Sequence, residues 1–317
     1  MKNTYGKGLG SSSGKIILMG EHAVVHGEPS IAIPFPETTV NATVESINGP
    51  VELDCYYHQG AFSEAPDMLI NLTTTIQTTL KRLNRPLKNF KLTITSTVPP
   101  ERGMGSSAAV AVAIVRALYA YFKEHLSREE LLDLVGVSEK IAHGNPSGLD
   151  AIMTSSTTPV YYVKGQPFEP FSLAIDAYLI VADTGVMGET KKAVGDVMTL
   201  LKTNPEQTKP AIHRLGKLVE TARTALESNQ PKQLGAAMTE AHQLLSLLTV
   251  SSDRLNVFVA AALKAGALGA KLTGGGRGGC MIALADQEKA AFDVETALKQ
   301  AGADHTWIYH MGDDANE

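Results

Sequence analysis

Pro99-Pro100-Glu101-Arg102-Gly103-Met104-Gly105-Ser106-Ser107-Ala108-Ala109 is the most informative stretch of the chain. Ahead of it, residues 90–97 (FKLTITST) alternate at period two and predict a strand. Pro99 and Pro100 stop that strand, because proline cannot donate to a sheet ladder. Beyond it, the run from Ser106 has no glycine or proline for well over three turns and predicts a buried helix. A strand thus feeds a glycine loop that opens onto a helix N-terminus. Free N–H groups at such an end bind anions, the helix dipole adds to this, and glycines let a phosphate come close to the backbone. A hydroxyl at the helix start can also reach a phosphate-bound Mg²⁺. The competing reading is a flexible turn followed by serine caps. A loose match to GxGxxA fails as a dinucleotide site, since the double proline breaks the strand-to-loop entry and no acidic residue ends a next strand about 20 residues on. It is not a Walker A loop either. No Gly-Lys-Ser/Thr follows, and the near match Gly14-Lys15 continues with Ile16.

Three further segments carry candidate chemistry. Lys271-Leu272-Thr273-Gly274-Gly275-Gly276-Arg277-Gly278-Gly279-Cys280 lies between two strand-like runs and holds too many glycines for an ordinary hairpin. A strand follows rather than a helix, so it too fails as a dinucleotide fingerprint. It reads as a loop near polyanionic substrate groups, against the alternative of a close-packed turn. Lys15-Ile16-Ile17-Leu18-Met19-Gly20-Glu21-His22-Ala23-Val24-Val25-His26-Gly27 starts an apolar strand with a lysine and places Glu21 and His22 just past its end, where polar residues commonly line a site. The His22/His26 spacing resembles half of a zinc-protease helix, but Ala23 stands where the general base would be. A solvated turn is the alternative. In Ser138-Glu139-Lys140-Ile141-Ala142-His143-Gly144-Asn145-Pro146-Ser147-Gly148-Leu149-Asp150, Glu139 lies on a helix and Asp150 beyond a Gly/Pro turn. Two carboxylates on separate elements suit phosphoryl transfer: one can ligand Mg²⁺ while the other contacts the attacking hydroxyl. A helix cap is the competing reading of Asp150.

The remaining pattern alternates strands and helices. Strands are expected at 15–19, 39–47, 51–58, 160–163, 177–182, 270–273 and 280–285. Helices are expected at 68–83, from Ser127 to about 144, around 212–226 and 234–248, at 254–265 and from about 287. Ser127 with Glu130 makes a capping box. Gly165, Pro167 and Pro170 mark a soft boundary near 165–175, with the second half richer in helix.

The 317 residues are long for one domain and comfortable for two, and 44% hydrophobic content can fill a sizeable core. A net charge of −5, from 28 basic and 33 acidic residues, argues against a nucleic-acid or membrane surface. Cys55 and Cys280 form no ligand cluster and read as two thiols in a reducing compartment. The polar, Gly/Ser-rich start lacks the apolar core of a signal peptide, and Lys264 interrupts the apolar run Val257–Leu263. The expectation is a soluble cytoplasmic protein.

Together the four segments resemble the GHMP kinase family, over nearly the whole chain from Lys15 to about Leu284. The Pro99–Ala109 stretch is similar to that family's ATP phosphate loop. Gly20-Glu21-His22-Ala23-Val24-Val25-His26-Gly27, His143–Asp150 and the 271–280 loop are most similar to the members that phosphorylate mevalonate. Met104, where leucine is frequent, is a conservative departure. The resemblance implies an α+β, two-domain GHMP kinase fold. An N-terminal α+β ATP-binding domain (1–170) and a helix-rich C-terminal α+β domain (171–317) would have the active site between them. It implies that Glu101, Arg102, Gly103, Met104, Gly105, Ser106 and Ser107 wrap the ATP phosphates and that Gly274, Gly275 and Gly276 close near them. Ser107 and Glu139 would hold Mg²⁺. Asp150 would act as base on the substrate hydroxyl, with Lys15 beside it stabilising charge near the transferred phosphoryl group. Glu21, His22 and Thr190 would bind mevalonate. ATP is the implied co-substrate and a homodimer the implied assembly. Another kinase of the family, acting on phosphomevalonate for instance, is the first alternative; His22 and its turn argue against it. A ligand sensor that lost catalysis is the second, but Asp150, Lys15 and Ser107 are all present.

Overall fold

A computed structural model describes residues 6–143 and 147–312, apart from the side chains of Ala142 and His143. The turn expected at Gly144-Asn145-Pro146 and the first five residues lie outside the described part. By internal packing the chain forms two compact units. The first is built from the chain up to Lys15, from Pro34–Pro100 and from Gly105–Thr157; the second is built from Ile16–Ile33, Glu101–Met104 and the chain from Thr158 onward.

The first strand, β1 (Gly8–Met19), begins seven residues before the expected Lys15. Its leading half looks like a linker by composition. Yet the small residues Gly8, Gly10, Ser12 and Gly14 alternate inward at period two. A side chain at Gly10 would collide with the helix beneath it, its Cβ falling 2.2 Å from the Ala113 carbonyl oxygen. Glycine here permits contact between backbones. β2 (Pro29–Ser46) is also longer than expected. In the first unit its Val40–Ser46 half pairs antiparallel with β5 (Phe90–Ser96). The segment expected as one strand at 51–58 turns at Tyr56 and Tyr57. It forms β3 (Glu52–Cys55), parallel to β5, and β4 (His58–Ala61), antiparallel to β3.

Four helices complete this unit: α1 (Ile70–Arg82), α2 (Ser106–Phe122), α3 (Arg128–His143) and α4 (Leu149–Ser155). α2 is buried nearly all round, as its alanine-rich apolar sequence demands. It packs against the other three helices. Its Arg116 donates to the carbonyls of Ser11 and Ser155, tying β1 and α4 to it. In α1 the buried Thr75 and Thr79 are satisfied by their own helix, donating to Asn71 and Thr75 carbonyls at 2.7 Å. The capping box of α3 forms as expected: Glu130 N–H donates to Ser127 Oγ at 3.1 Å and Ser127 N–H to Glu130 Oε2 at 3.3 Å. Ser127→Ala should lower unfolding free energy by about 1 kcal/mol, measured by denaturant titration, with activity unchanged.

In the second unit, Pro29–Ala32 of β2 pairs with β6 (Val160–Val163), which also pairs with the two-residue β7 (Glu169–Pro170). A separate antiparallel sheet has the order β11-β8-β10-β9, from β8 (Tyr178–Asp183), β9 (Gly269–Leu272), β10 (Cys280–Ala285) and β11 (His305–His310). The helices are α5 (Thr190–Thr203), α6 (Pro205–Glu227), α7 (Pro231–Leu247), α8 (Asp253–Lys264) and α9 (Glu288–Gln300). α6 and α7 form a hairpin, and α7, α8 and α9 cover the sheet. The pattern did not announce α5 or β11. α5 buries only Ala193 and Val197, too narrow a stripe to stand out, and β11 is an edge strand.

His242 of α7 shows how this core handles a polar side chain. Its Nε2 meets Asn256 Oδ1 at 3.1 Å, and its Nδ1 accepts the Leu272 N–H at 3.3 Å. Burial, helped by the nearby Lys271 charge, pulls the imidazole down to about 4. The group is neutral in the folded protein where the unfolded chain already takes up a proton. Its contribution is therefore present above the unfolded value near 6.5 and is lost as pH falls toward 4. Between about pH 7 and about pH 5 the protein should lose up to about 2 kcal/mol on this account. His242→Gln should flatten that slope in urea titrations at the two pH values.

Candidate active site

The first unit brings four of the expected residues together. Lys15, on the last part of β1 that belongs to this unit, is buried, and its Nζ lies 3.1 Å from Asp150 Oδ1. Asp150 occupies the first turn of α4 but does not cap it. Gly148, with φ +81°, holds the cap position, and Ser147 Oγ takes the Leu149 N–H. The carboxylate is free for Lys15 and remains 30% exposed, so a small molecule can reach it. Ser107, in the first turn of α2, hydrogen-bonds Glu139 of α3, which is buried. Burial and the Asp150 charge push the Glu139 carboxyl up to about 7, against the pull of Ser107 and Lys15. Asn71 Nδ2 donates to Ser107 Oγ at 3.1 Å and fixes its position. No sequence signal pointed to Asn71.

This donor set fits a small divalent cation. A hydroxyl and a carboxylate supply hard oxygen ligands of the kind such a cation takes. Among the described residues no group of three or more His, Cys, Asp or Glu side chains forms a complete metal cage. Mg²⁺ usually takes one or two protein ligands and completes its shell with phosphate and water.

The loop ahead of α2 has φ of +58° at Glu101, +79° at Gly103 and +74° at Gly105, with Arg102 and Met104 on the other side of φ. Such alternation turns successive N–H groups to one side and makes an anion-binding concavity. No side chain caps α2, so its first N–H groups have no acceptor within the helix. Two side chains of the loop point elsewhere. Arg102 Nε reaches Asp183 Oδ1 at 2.9 Å, and Asp183 is buried. Met104 is buried with its Sδ 3.6 Å from Cys280 Sγ. Both anchor the loop within the second unit. The side chains of Arg102 and Met104 are thus engaged, and what this stretch offers an anion is its backbone N–H groups. Asp183 was missed by the sequence reading, although it closes the strand YLIVAD with a charge.

In the second unit, Glu21, His22, Thr190 and the 274–276 glycines are neighbours. The imidazole Nε2 of His22 lies 3.0 Å from the Gly275 carbonyl oxygen. That oxygen can only accept, so neutral His22 carries its proton on Nε2, and Nδ1 has no hydrogen-bond partner among the described residues. Burial holds the ring below the ordinary histidine value, with His26 and Arg277 charges adding to it and the Gly275 bond opposing. Gly275 lies so close to Thr190 that a Cβ there would fall 1.9 Å from the Thr190 hydroxyl oxygen. Glu21 differs from expectation. Its carboxylate is fully buried and ion-paired with Lys271. A lysine inside the apolar run of β9 was the visible signal for this pair, but its partner is 250 residues away.

Comparison with known proteins identifies the family. The family model described as "GHMP kinases N terminal domain" matches residues 71–157, and "GHMP kinases C terminal" matches residues 222–304. Mevalonate kinase of Thermococcus sibiricus is 34% identical over 93% of this chain and 93% of its own. Among solved structures, L. major mevalonate kinase in complex with R-mevalonate superposes with a TM-score of 0.84. It is 30% identical, covering 96% of this chain and 95% of that one. The enzyme from methicillin-resistant Staphylococcus aureus gives a TM-score of 0.77 at 36% identity, over 96% and 99% of the two chains. With this sequence similarity, and with Lys15, Asp150, Ser107 and Glu139 gathered as they are, the chain belongs to the GHMP kinase family, on its mevalonate kinase branch.

Proposed function

We propose that the protein transfers the γ-phosphoryl group of ATP to the 5-hydroxyl of mevalonate, giving 5-phosphomevalonate and ADP in isoprenoid precursor synthesis. The observation that carries the chemistry is the partly exposed Asp150 carboxylate held at 3.1 Å by a buried Lys15. The choice of mevalonate rests on the relatives, one of which is seen with R-mevalonate bound. Phosphoryl transfer requires in-line positioning and charge neutralisation more than covalent help from the protein. Asp150 accepts a hydrogen bond from the attacking hydroxyl and takes its proton as the oxygen bonds to phosphorus and the bond to the ADP oxygen breaks. Lys15 orients Asp150 and stabilises the charge spread over the transferred group. Backbone N–H groups of residues 101–107 hold the phosphates, and the Gly274–Gly276 loop closes near them. Ser107 and Glu139 would hold Mg²⁺, which neutralises phosphate charge when bound. His22 and Thr190 contact mevalonate, and Glu21 supports them from its buried position.

We further propose a homodimer, as the family resemblance suggests, and a cytoplasmic location. The second is supported by two free, buried cysteines and by the lack, among the described residues, of any helix long and apolar enough to cross a membrane. In sequence we also propose a division at 170/171 between an N-terminal ATP-binding region and a C-terminal region, with one matched family region on each side, although the compact units interleave, the second also taking Ile16–Ile33 and Glu101–Met104. The test is ADP release with Mg-ATP and, separately, mevalonate, phosphomevalonate, homoserine or galactose. Turnover with mevalonate alone is expected. Turnover with another acceptor would keep the chemistry and overturn the specificity. ATP binding without any turnover would point to a sensor.

A further inference from the structure

Residues 271–275 reach residues 17–22 through three side-chain bonds, all inside the second unit. Lys271 Nζ pairs with Glu21 Oε1, Thr273 Oγ1 donates to the Ile17 carbonyl at 2.8 Å, and His22 Nε2 donates to the Gly275 carbonyl at 3.0 Å. The two charged side chains are wholly buried. Lys271 also donates to the Leu272 carbonyl at 2.7 Å. It sits in β9, all four residues of which are buried, opposite Ile282 of β10.

An apolar residue would serve that strand at least as well for stability. Two buried charges lose their hydration, and replacing such a pair by well-packed hydrophobic groups is often neutral or stabilising. What the pair provides is a fixed geometry. Glu21 lies between Gly20, with φ +94°, and His22, with φ +59°. With ψ −43° beside that positive φ, His22 holds a sparsely populated backbone conformation, which persists only where its surroundings over-determine it. The anchor of Glu21 on one side and the Gly275 carbonyl on the other supply that constraint.

We propose that Lys271 is a positioning residue for phosphoryl transfer to mevalonate: through Glu21 it locks the Gly20–His22 turn, and so sets the direction and tautomer of the His22 ring. This rests on the reading of His22 as a mevalonate-binding residue. It makes Glu21 an indirect contributor and gives Lys271 a task that burial alone does not.

The test combines kinetics with the ring nitrogens of His22. Lys271→Met leaves a buried carboxylate without its ammonium and can fail to fold, so the neutral pair Glu21→Gln with Lys271→Met is made beside it. In wild type, ¹⁵N NMR of labelled histidine at neutral pH should show His22 as the single Nε2–H tautomer. In the double variant the expected results are mixed tautomers and a KM for mevalonate raised about tenfold or more, the loss tied to one misplaced polar contact. The KM for Mg-ATP should stay within about twofold. His22→Gln added to the double variant should then cost little more, because the ring is already displaced. A folded double variant with the wild-type tautomer would overturn the clamp. Altered tautomers with an unchanged KM would overturn its part in the reaction. If wild type turns over a different acceptor, the substrate reading fails, while the tautomer comparison still decides the clamp.

Discussion

Replacing Asp150 by asparagine is expected to lower kcat by about 10³-fold, within the range that general-base groups contribute, while Mg-ATP still binds with near wild-type affinity. Asparagine keeps the size and one acceptor oxygen, so the first turn of α4 and its Gly148 cap are undisturbed. It cannot take the hydroxyl proton. It also leaves Lys15, which is buried, facing a neutral group at a distance that was 3.1 Å to a charge. The orientation of the attacking oxygen and the stabilisation of the moving charge fail together, so the effect should exceed that of a binding residue. Single-turnover kinetics with ATP and mevalonate, alongside nucleotide binding and circular dichroism, separate these contributions. A folded variant that retained near-native turnover would remove Asp150 from the chemistry.

Gly275→Ala should lower kcat/KM for mevalonate by about 100-fold, the scale on which small misplacements cost activity. The new methyl carbon would lie 1.9 Å from Thr190 Oγ1, 2.7 Å from its Cβ and 3.0 Å from its Cα. Since the obstruction includes the backbone at the start of α5, no rotamer of Thr190 relieves it, and the loop must move. Movement of Gly275 also withdraws the carbonyl that holds His22. The loss should appear in the KM for mevalonate, through His22, and in the KM for Mg-ATP, because Gly275 also neighbours Gly103 of the phosphate loop. Wild-type kinetics in Gly275→Ala would show that the loop tolerates displacement and that its closeness to Thr190 has no catalytic meaning.

The parts of the site legible in the sequence were those written in local chemistry. Two prolines, alternating glycines and paired serines announce a loop entering a helix within a few residues, and the capping box at Ser127 and Glu130 is complete over one turn. Glu139 and Asp150 were readable because they flank one turn. What stayed hidden depends on partners far along the chain. Lys271 finds Glu21, Asn71 finds Ser107, and Arg102 finds Asp183 only after folding, and no periodicity encodes those meetings. For the same reason the side-chain partners of Arg102 and Met104, Asp183 and Cys280, could not be read from the loop itself. The start of β1 was obscured for a different reason. Its inward face is made of glycine and serine because α2 leaves no room for larger side chains, and such a composition imitates a flexible segment.

The way the chain is shared between its two units has a consequence for its synthesis on the ribosome. Every segment of the first unit has been made once Thr157 is added, but the second unit waits for the rest of the chain. Meanwhile Ile16, Leu18, Met19, Ile31 and Ile33, all without exposure in the finished protein, have already emerged. These early residues wait for the chain beyond Thr157, beginning with Val160–Val163, the strand that pairs with Pro29–Ala32. A nascent chain that displays such apolar surface for that interval is a natural client of holding chaperones, and its yield in a heterologous host will depend on translation speed as well as on final stability.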